Sequence, residues 1–385
     1  MILAMLCLNG CSGGLDREFS SITPHFKQDQ EWQNISDYTI NSFSEVSEVI
    51  EKLIASGMTE GVVWVNFKDS SLENKLTGLC HDIQISDPVA AFAVEQINFD
   101  LTQFVVDLRL RFFISYSRPQ KEIFDIKPIY THAEFLTELK ERLSSYGDRV
   151  ILYVQNYSDM AFDINGIFEE AYFDMPDYTY GIQGIKYALY PDNGEKRIIE
   201  IDIKRDKTAD IAKNFMRMVS FSADNIISKL PVGGNGYERA VFLHDYLLTA
   251  TEYQSKTTED ILSSIKHDSY TAYGALVENK AVDEGYALAY KKLCDLAGID
   301  CRVVLGSIDG VPHVWNLVLM DDGCWYHVDC AADDSELLPS DKYFMLNDEK
   351  LALTHSWQRG AYPKCSGLTY VSTDETVETA ALSAE

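Results

Sequence analysis

Basic residues are scarce in this chain of 385 residues: 33 Lys and Arg stand against 60 Asp and Glu, a formal net charge of -27. A surface this acidic repels phosphate backbones, so no nucleic-acid partner is expected. Long apolar runs are missing too. Nothing after the first dozen residues approaches the roughly 18–20 apolar residues of a membrane span. The eight cysteines include no C-x-x-C pair and no Cys/His cluster of zinc spacing. Nor do they have the spacing of a small disulfide scaffold. They read as mostly buried thiols, with one or two disulfides open if the protein is exported. Asp333 and Asp334 lack the further oxygen ligands at regular spacing that calcium requires, and read as a solvated loop. No metal and no cofactor are expected.

Apolar residues make up 46% and aromatics 12%. That is ample for folded cores, and the length suggests two or three domains. The segment Met1-Ile2-Leu3-Ala4-Met5-Leu6-Cys7-Leu8 is apolar and is followed by Asn9-Gly10-Cys11 and Ser12-Gly13-Gly14. A small residue before a cysteine, after such a run, resembles a bacterial lipoprotein signal. The resemblance implies lipidation of Cys11, an extracytoplasmic location, and membrane attachment only through that lipid anchor. A frayed, partly buried N-terminal segment is the alternative.

Residues 12–36 are polar and read as a linker. Phe43 to Ser56 places Val46, Val49, Ile50, Leu53 and Ile54 at helical spacing, with Gly57 as a stop. Val62 to Phe67 reads as a strand, Val89 to Leu108 as helical, and Leu110 to Tyr116 as a strand. The order recurs: Ala133 to Tyr146 is amphipathic, Gly147 follows, and Val150 to Val154 is strand-like. Ile185 to Tyr190 and Ile198 to Ile203 form a hairpin through Asp192-Asn193-Gly194. Superposing Gly57 on Gly147 and Trp64 on Tyr153 gives a repeat of about 90 residues. These are either two α/β units, 37–125 and 126–206, or unrelated stretches of common pattern. Thr208 to Leu230 and Tyr237 to Tyr253 are further helices.

Chemistry concentrates in three segments of the C-terminal half. A helix from Glu284 to Leu296, closed by Gly298, puts Asp283 at its N-terminus. Cys301 to Gly306 is a strand. Val311 to Met320 and Cys324 to Cys330 form a hairpin about Asp321-Asp322-Gly323. With that three-residue loop, Met320 faces Cys324, Trp315 faces Asp329, and His313 lies diagonal to Asp329 on the same face. A two-residue loop would place them on opposite faces. An imidazole oriented by a carboxylate is half of a nucleophilic triad; the other half is a thiol or hydroxyl at a helix N-terminus.

The motifs Tyr273-Gly274-Ala275-Leu276, Val282-Asp283-Glu284-Gly285-Tyr286-Ala287, Gly298 to Cys301, His313-Val314-Trp315-Asn316 and Trp325-Tyr326-His327-Val328-Asp329 follow one another in the order of the transglutaminase-like superfamily. Upstream His244 to Leu247 and downstream His355-Ser356-Trp357 with Tyr362-Pro363 extend the resemblance to residues 208–367. It implies a papain-like α+β domain, 207–370, ahead of a disordered tail, 371–385. It maps the family's cysteine, histidine and aspartate onto Asp283, His313 and Asp329, and substrate contacts onto Trp315, Gly285 and Tyr286. A carboxylate attacking an amide would give an anhydride, far less accessible than a thioester. Asp283 therefore reads as a helix cap, an ion-pair partner of protonated His313, or a base acting on water. Cys294, Cys324 and Cys330 are read as lying away from the site, His244 as a buried helix residue, and His355 and Trp357 as closing elements. The expected role is a surface-exposed binding module, without thiol catalysis, for a peptide, protein or cell-wall component. The alternative is an active peptidase or amide hydrolase using His313 and Asp329.

Overall fold

The structure is a computed structural model and describes residues 38–256, 266–334 and 341–367. The lipoprotein-type signal expected at 1–11, the linker expected at 12–36 and the tail expected at 371–385 lie outside the described residues. The described chain divides into two compact units, one of residues 38–84 and 93–124, the other of residues 85–92 and from 125 onward.

The first unit runs β1 (Tyr38–Ile40), α1 (Ser44–Ala55), β2 (Glu60–Val65), α2 (Leu72–Ser86), then past α3 (Pro88–Ala93) to β3 (Val94–Gln103), β4 (Leu108–Tyr116) and α4 (Gln120–Phe124). Its sheet has the order β1-β2-β4-β3. All five apolar residues assigned to the inner stripe of α1 are buried. They pack by burial of one helical face, which supplies most of the stability of a helix this short. The chain leaves α1 through Gly57 at φ +62°. The helix expected over Val89 to Leu108 is corrected. Only Pro88–Ala93 is helical, and Val94–Gln103 is a strand. Val94, Ile97, Leu101, Val105 and Leu108 fit a helical period by spacing. Ile97-Asn98-Phe99-Asp100-Leu101 also alternates, and pairing with β4 selects that period.

The second unit opens with β5 (Lys127–Ile129), α5 (His132–Ser144), β6 (Arg149–Val154), α6 (Ile164–Asp174), β7 (Ile182–Tyr190) and β8 (Arg197–Arg205). Its sheet has the order β5-β6-β8-β7. In each sheet the first pair is parallel and the other two antiparallel. Tyr38 pairs with Val63 and Val63 with Leu110; 89 residues later Lys127 pairs with Leu152 and Leu152 with Ile199. Even the register shift recurs, at Val94/Gln96 and at Ile182/Gly184. Order, sense, register and bulge coincide, so the two sheets are copies of one pattern.

The second copy is tied to the C-terminal elements of its own unit. After α7 (Ala209–Ile227) and α8 (Gly236–Ala250) come β9 (Glu252–Tyr253), β10 (Lys280–Ala281) and α9 (Asp283–Ala297). One apolar core runs from Phe135, Leu152 and Phe168 through Leu243, Tyr286 and Leu293 to Val318. Tyr180 stacks on Phe215, ring centroids 4.0 Å apart, and the Tyr172 hydroxyl donates to Glu284 Oε1 at 3.0 Å. The boundary drawn at 206 thus crosses a shared core.

The remaining elements are β11 (Cys301–Ile308), β12 (Val311–Leu319), β13 (Trp325–Val328), α10 (Cys330–Asp334), β14 (Phe344–Leu346), α11 (Asp348–Leu351) and β15 (His355–Trp357). They give an antiparallel five-stranded sheet, β14-β13-β12-β11-β15. Helix α9 packs against it and is buried on nearly every side, its charged residues Asp283, Glu284, Lys291 and Lys292 each held in an ion pair. The architecture is α+β, with this helix-on-sheet domain coming after the duplicated α/β pattern.

Candidate active site

The hairpin register sets the site. Leu319 pairs with Trp325 and Asn316 with Val328. The Met320 N–H donates to the Cys324 carbonyl at 3.0 Å, and Gly323 closes the turn at φ +76°. The loop has three residues, so His313 and Asp329 come to one face. His313 Nε2 lies 2.6 Å from Asp329 Oδ2, and His313 Nδ1 lies 3.0 Å from Asp283 Oδ2. The three side chains assigned from sequence therefore meet as carboxylate, imidazole, carboxylate. Asp283 and Asp329 are 2% and 1% exposed.

Asp283 is not the N-cap of α9. Val282 occupies that position with extended backbone, and Asp283 is the first helical residue. Its carboxylate is saturated. Oδ1 accepts the Glu284 N–H at 2.8 Å, and Oδ2 accepts the Val314 N–H at 3.1 Å. The Lys256 ammonium donates to Oδ2 at 2.8 Å and lies 2.7 Å from Oδ1. Burial alone would raise the Asp283 pKa; the hydrogen bond and charge of His313, with Lys256, outweigh it and hold the carboxyl below its ordinary range. Burial likewise opposes charge on His313, but Asp329 and Asp283 on either side raise its pKa to about 9. At neutral pH the ring is an imidazolium donating from both nitrogens. Burial would also raise Asp329, yet His313 and His355 hold it far below the usual carboxylate range.

Lys256 and His355 were not assigned to the site from sequence. His355 Nε2 sits 2.9 Å from Asp329 Oδ2, and Thr354 Oγ1 is 2.8 Å from His355 Nδ1. Strand β15 brings His355 there by pairing with β11. Its motif, His355-Ser356-Trp357, was legible as a closing element but not as a second imidazole on the same acid. Lys256 lies in an irregular segment and carries no motif.

The residues expected to touch substrate do not line an open surface. Trp315 is 1% exposed, runs nearly parallel to His313 with centroids 6.1 Å apart, and donates its indole N–H to His327 Nδ1 at 2.9 Å. Tyr286 is buried and donates to the Thr251 carbonyl at 3.1 Å and to Asp334. A Cβ on Gly285 would stand 2.3 Å from the Ser269 carbonyl oxygen, so this glycine permits a close backbone approach. These three support the site from behind. Asp333 is also corrected. It is fully buried, 3.1 Å from His244 Nε2, and Asp334 meets Tyr286; neither belongs to a solvated loop. The thiols of Cys294 and Cys330 are buried with pKa values raised by desolvation. Cys324 lies partly exposed at the hairpin turn.

The site is thus a buried acid–imidazole–acid relay, set between a helix N-terminus and an antiparallel sheet. Residues 230–330, which contain all three members of the relay, match the model of the transglutaminase-like superfamily, and a domain of that superfamily occupies this segment. No curated protein matches the chain. Among solved structures, a TGase crystal structure is 14% identical, with TM-score 0.29, over 57% of this chain and 64% of that one. A candidate cysteine protease from Cytophaga hutchinsonii is 15% identical, with TM-score 0.24, over 38% and 61%. A candidate protease from Parabacteroides distasonis is 8% identical, with TM-score 0.20, over 58% and 46%. The chain thus spans less than two thirds of each of these structures.

Proposed function

We propose that this is a bacterial surface protein whose transglutaminase-like domain has lost thiol chemistry and serves as a binding module. In this reading Cys11 is lipidated and tethers the chain outside the cell, and the domain holds a peptide, protein or cell-wall component. One observation carries the loss of chemistry. The position that maps to the family's nucleophile holds a carboxylate whose two oxygens are engaged by Lys256, His313 and two backbone N–H groups. Such an acid has no lone pair directed at a substrate. Its low pKa also makes it a poor base toward water, which weighs against the hydrolase reading. A cavity of about 530 Å³, lined by Gln254, Ser255, Lys266, Tyr270, Lys280 and Val282 among others, opens beside the start of α9. Its size suits a ligand segment.

Alkylation kinetics test the central claim. Iodoacetamide is expected to label neither Cys294 nor Cys330 in the native fold. Asp283→Cys is expected to add one rapidly alkylated thiol, ionised well below the ordinary value of about 8.5 through the helix N-terminus and His313. Hydrolysis of peptides or amides by the native chain that disappears in His313→Ala would overturn the reading. Incorporation of a labelled fatty acid that persists in Cys11→Ala would remove the anchor from it.

A further inference from the structure

Two imidazoles converge on one carboxylate oxygen, a feature that a nucleophilic triad does not require. His313 Nε2 and His355 Nε2 lie 2.6 and 2.9 Å from Asp329 Oδ2, and the three atoms all fall within 4.8 Å of one another. We propose that His313, His355 and Asp329 form a binding site for one divalent transition-metal ion of the zinc class.

The partners on the far side of each ring decide the matter. A histidine binds metal through one nitrogen when the other keeps its proton and donates it to an outer acceptor, which fixes the tautomer. His313 Nδ1 faces the Asp283 carboxylate at 3.0 Å. An ionised carboxylate only accepts, so Nδ1 keeps its proton. His355 Nδ1 faces Thr354 Oγ1 at 2.8 Å, and a hydroxyl oxygen can accept. Both Nε2 atoms are then free to present lone pairs to the same point. Asp329 Oδ1 is held by the Ala332 N–H at 2.9 Å, which leaves Oδ2 as the third ligand. Two imidazoles and one carboxylate form a donor set suited to zinc-class ions, with a position left for water.

The neighbouring cluster of His327, Asp348 and Cys365 is equally compact but fails the same requirement. There the Trp315 indole donates to His327 Nδ1. An indole N–H cannot accept, so His327 carries its proton on Nε2, which faces Asp348 Oδ1 at 3.0 Å. Metal at that nitrogen would require an imidazolate. Asp283 thus does for His313 what Trp315 denies to His327.

The proton count closes simply. Without metal, His313 Nε2–H and His355 Nε2–H both donate to Asp329. On binding, the His313 Nε2 proton passes to solvent, and the neutral His355 ring moves its proton from Nε2 to Nδ1, where the Thr354 hydroxyl accepts it, so one M²⁺ displaces one net proton. Asp283 and Asp329 supply two negative charges against the ion. Ligand atoms around a tetrahedral zinc-class ion stand about 3.3 Å apart, so the cluster needs to open by roughly half an ångström.

Cobalt(II) is the probe. The full chain, stripped with chelator, is expected to develop visible d–d absorption that saturates at one equivalent. His355→Ala and Asp329→Asn should abolish that absorption. Asp283→Asn, which alters only the outer partner, should weaken binding about 10- to 100-fold. Asp348→Asn, at the rejected cluster, should leave it unchanged. If His355→Ala fails to fold by circular dichroism, His355→Gln serves in its place. Absence of a saturable signal, or a signal that survives both ligand substitutions, would overturn the proposal. These outcomes are separable from the alkylation test, which reads only the chemistry of position 283.

Discussion

At the residue scale, the charge state of His313 should govern much of the local stability. Its folded pKa of about 9 lies above the unfolded value of about 6.5. A raised pKa means the folded state holds the proton more tightly. The contribution is therefore complete below about pH 6.5 and fades as pH rises through 9. The shift corresponds to roughly 3 kcal/mol at most. Urea midpoints of the native chain should fall between pH 6.5 and 9.5, and His313→Gln should flatten that part of the profile; an unchanged slope would refute the assignment. Asp283 and Asp329 have the opposite sign, and their contribution is lost on acidification. Lys256→Met is a second test. Removing one partner of a buried ion pair leaves the other charge uncompensated, but His313 and two N–H groups still hold Asp283. A loss of about 1–3 kcal/mol in unfolding free energy, read from denaturant midpoints, is expected, smaller than for Asp329→Asn.

At the scale of elements, the hairpin and the central helix decide the site. Deleting Asp322 would shorten the β12–β13 loop to two residues and move the register by one, which turns Asp329 away from His313. The expected result is a chain that loses the elevated His313 titration in NMR, if it folds at all. Gly285→Ala forces a methyl against the Ser269 carbonyl oxygen at 2.3 Å. Backbone cannot yield as a flexible side chain does, so the change should cost about 1–3 kcal/mol, read as a lowered melting temperature. Much at this scale is legible in the sequence. The stripe of α1, the helix stops at Gly57 and Gly298, and the hairpin register arise from periodicity and turn chemistry within short windows. The strand at Val94–Gln103 is not, because its apolar residues satisfy helical and extended periods together. Only the partner strand β4 separates the two.

At the scale of the molecule, the shared core makes a testable statement about what folds. A fragment beginning at 207 would expose the faces of Phe215, Tyr273 and Glu284 that Tyr180 and Tyr172 cover. It should show no cooperative thermal transition. A fragment beginning at 125 keeps the β5–β8 sheet and should melt cooperatively. The repeat offset, near 90 residues by matching glycines and aromatics, is 89 through the paired strands.

The sequence by itself determined the order of the motifs, the helix start at Asp283, and the meeting of His313 with Asp329, through a two-residue side-chain period and a turn length. The α+β class and the place of Asp283 beside His313 were implied by the family resemblance, and the packing of α9 against β12 brings Asp283 there. Tertiary structure decided the rest. It brought Lys256 onto Asp283 and His355 onto Asp329, and it buried Trp315, Gly285, Tyr286 and Asp333. Those contacts join segments whose separation along the chain obeys no period, so only the packing of strand on strand and helix on sheet could reveal them.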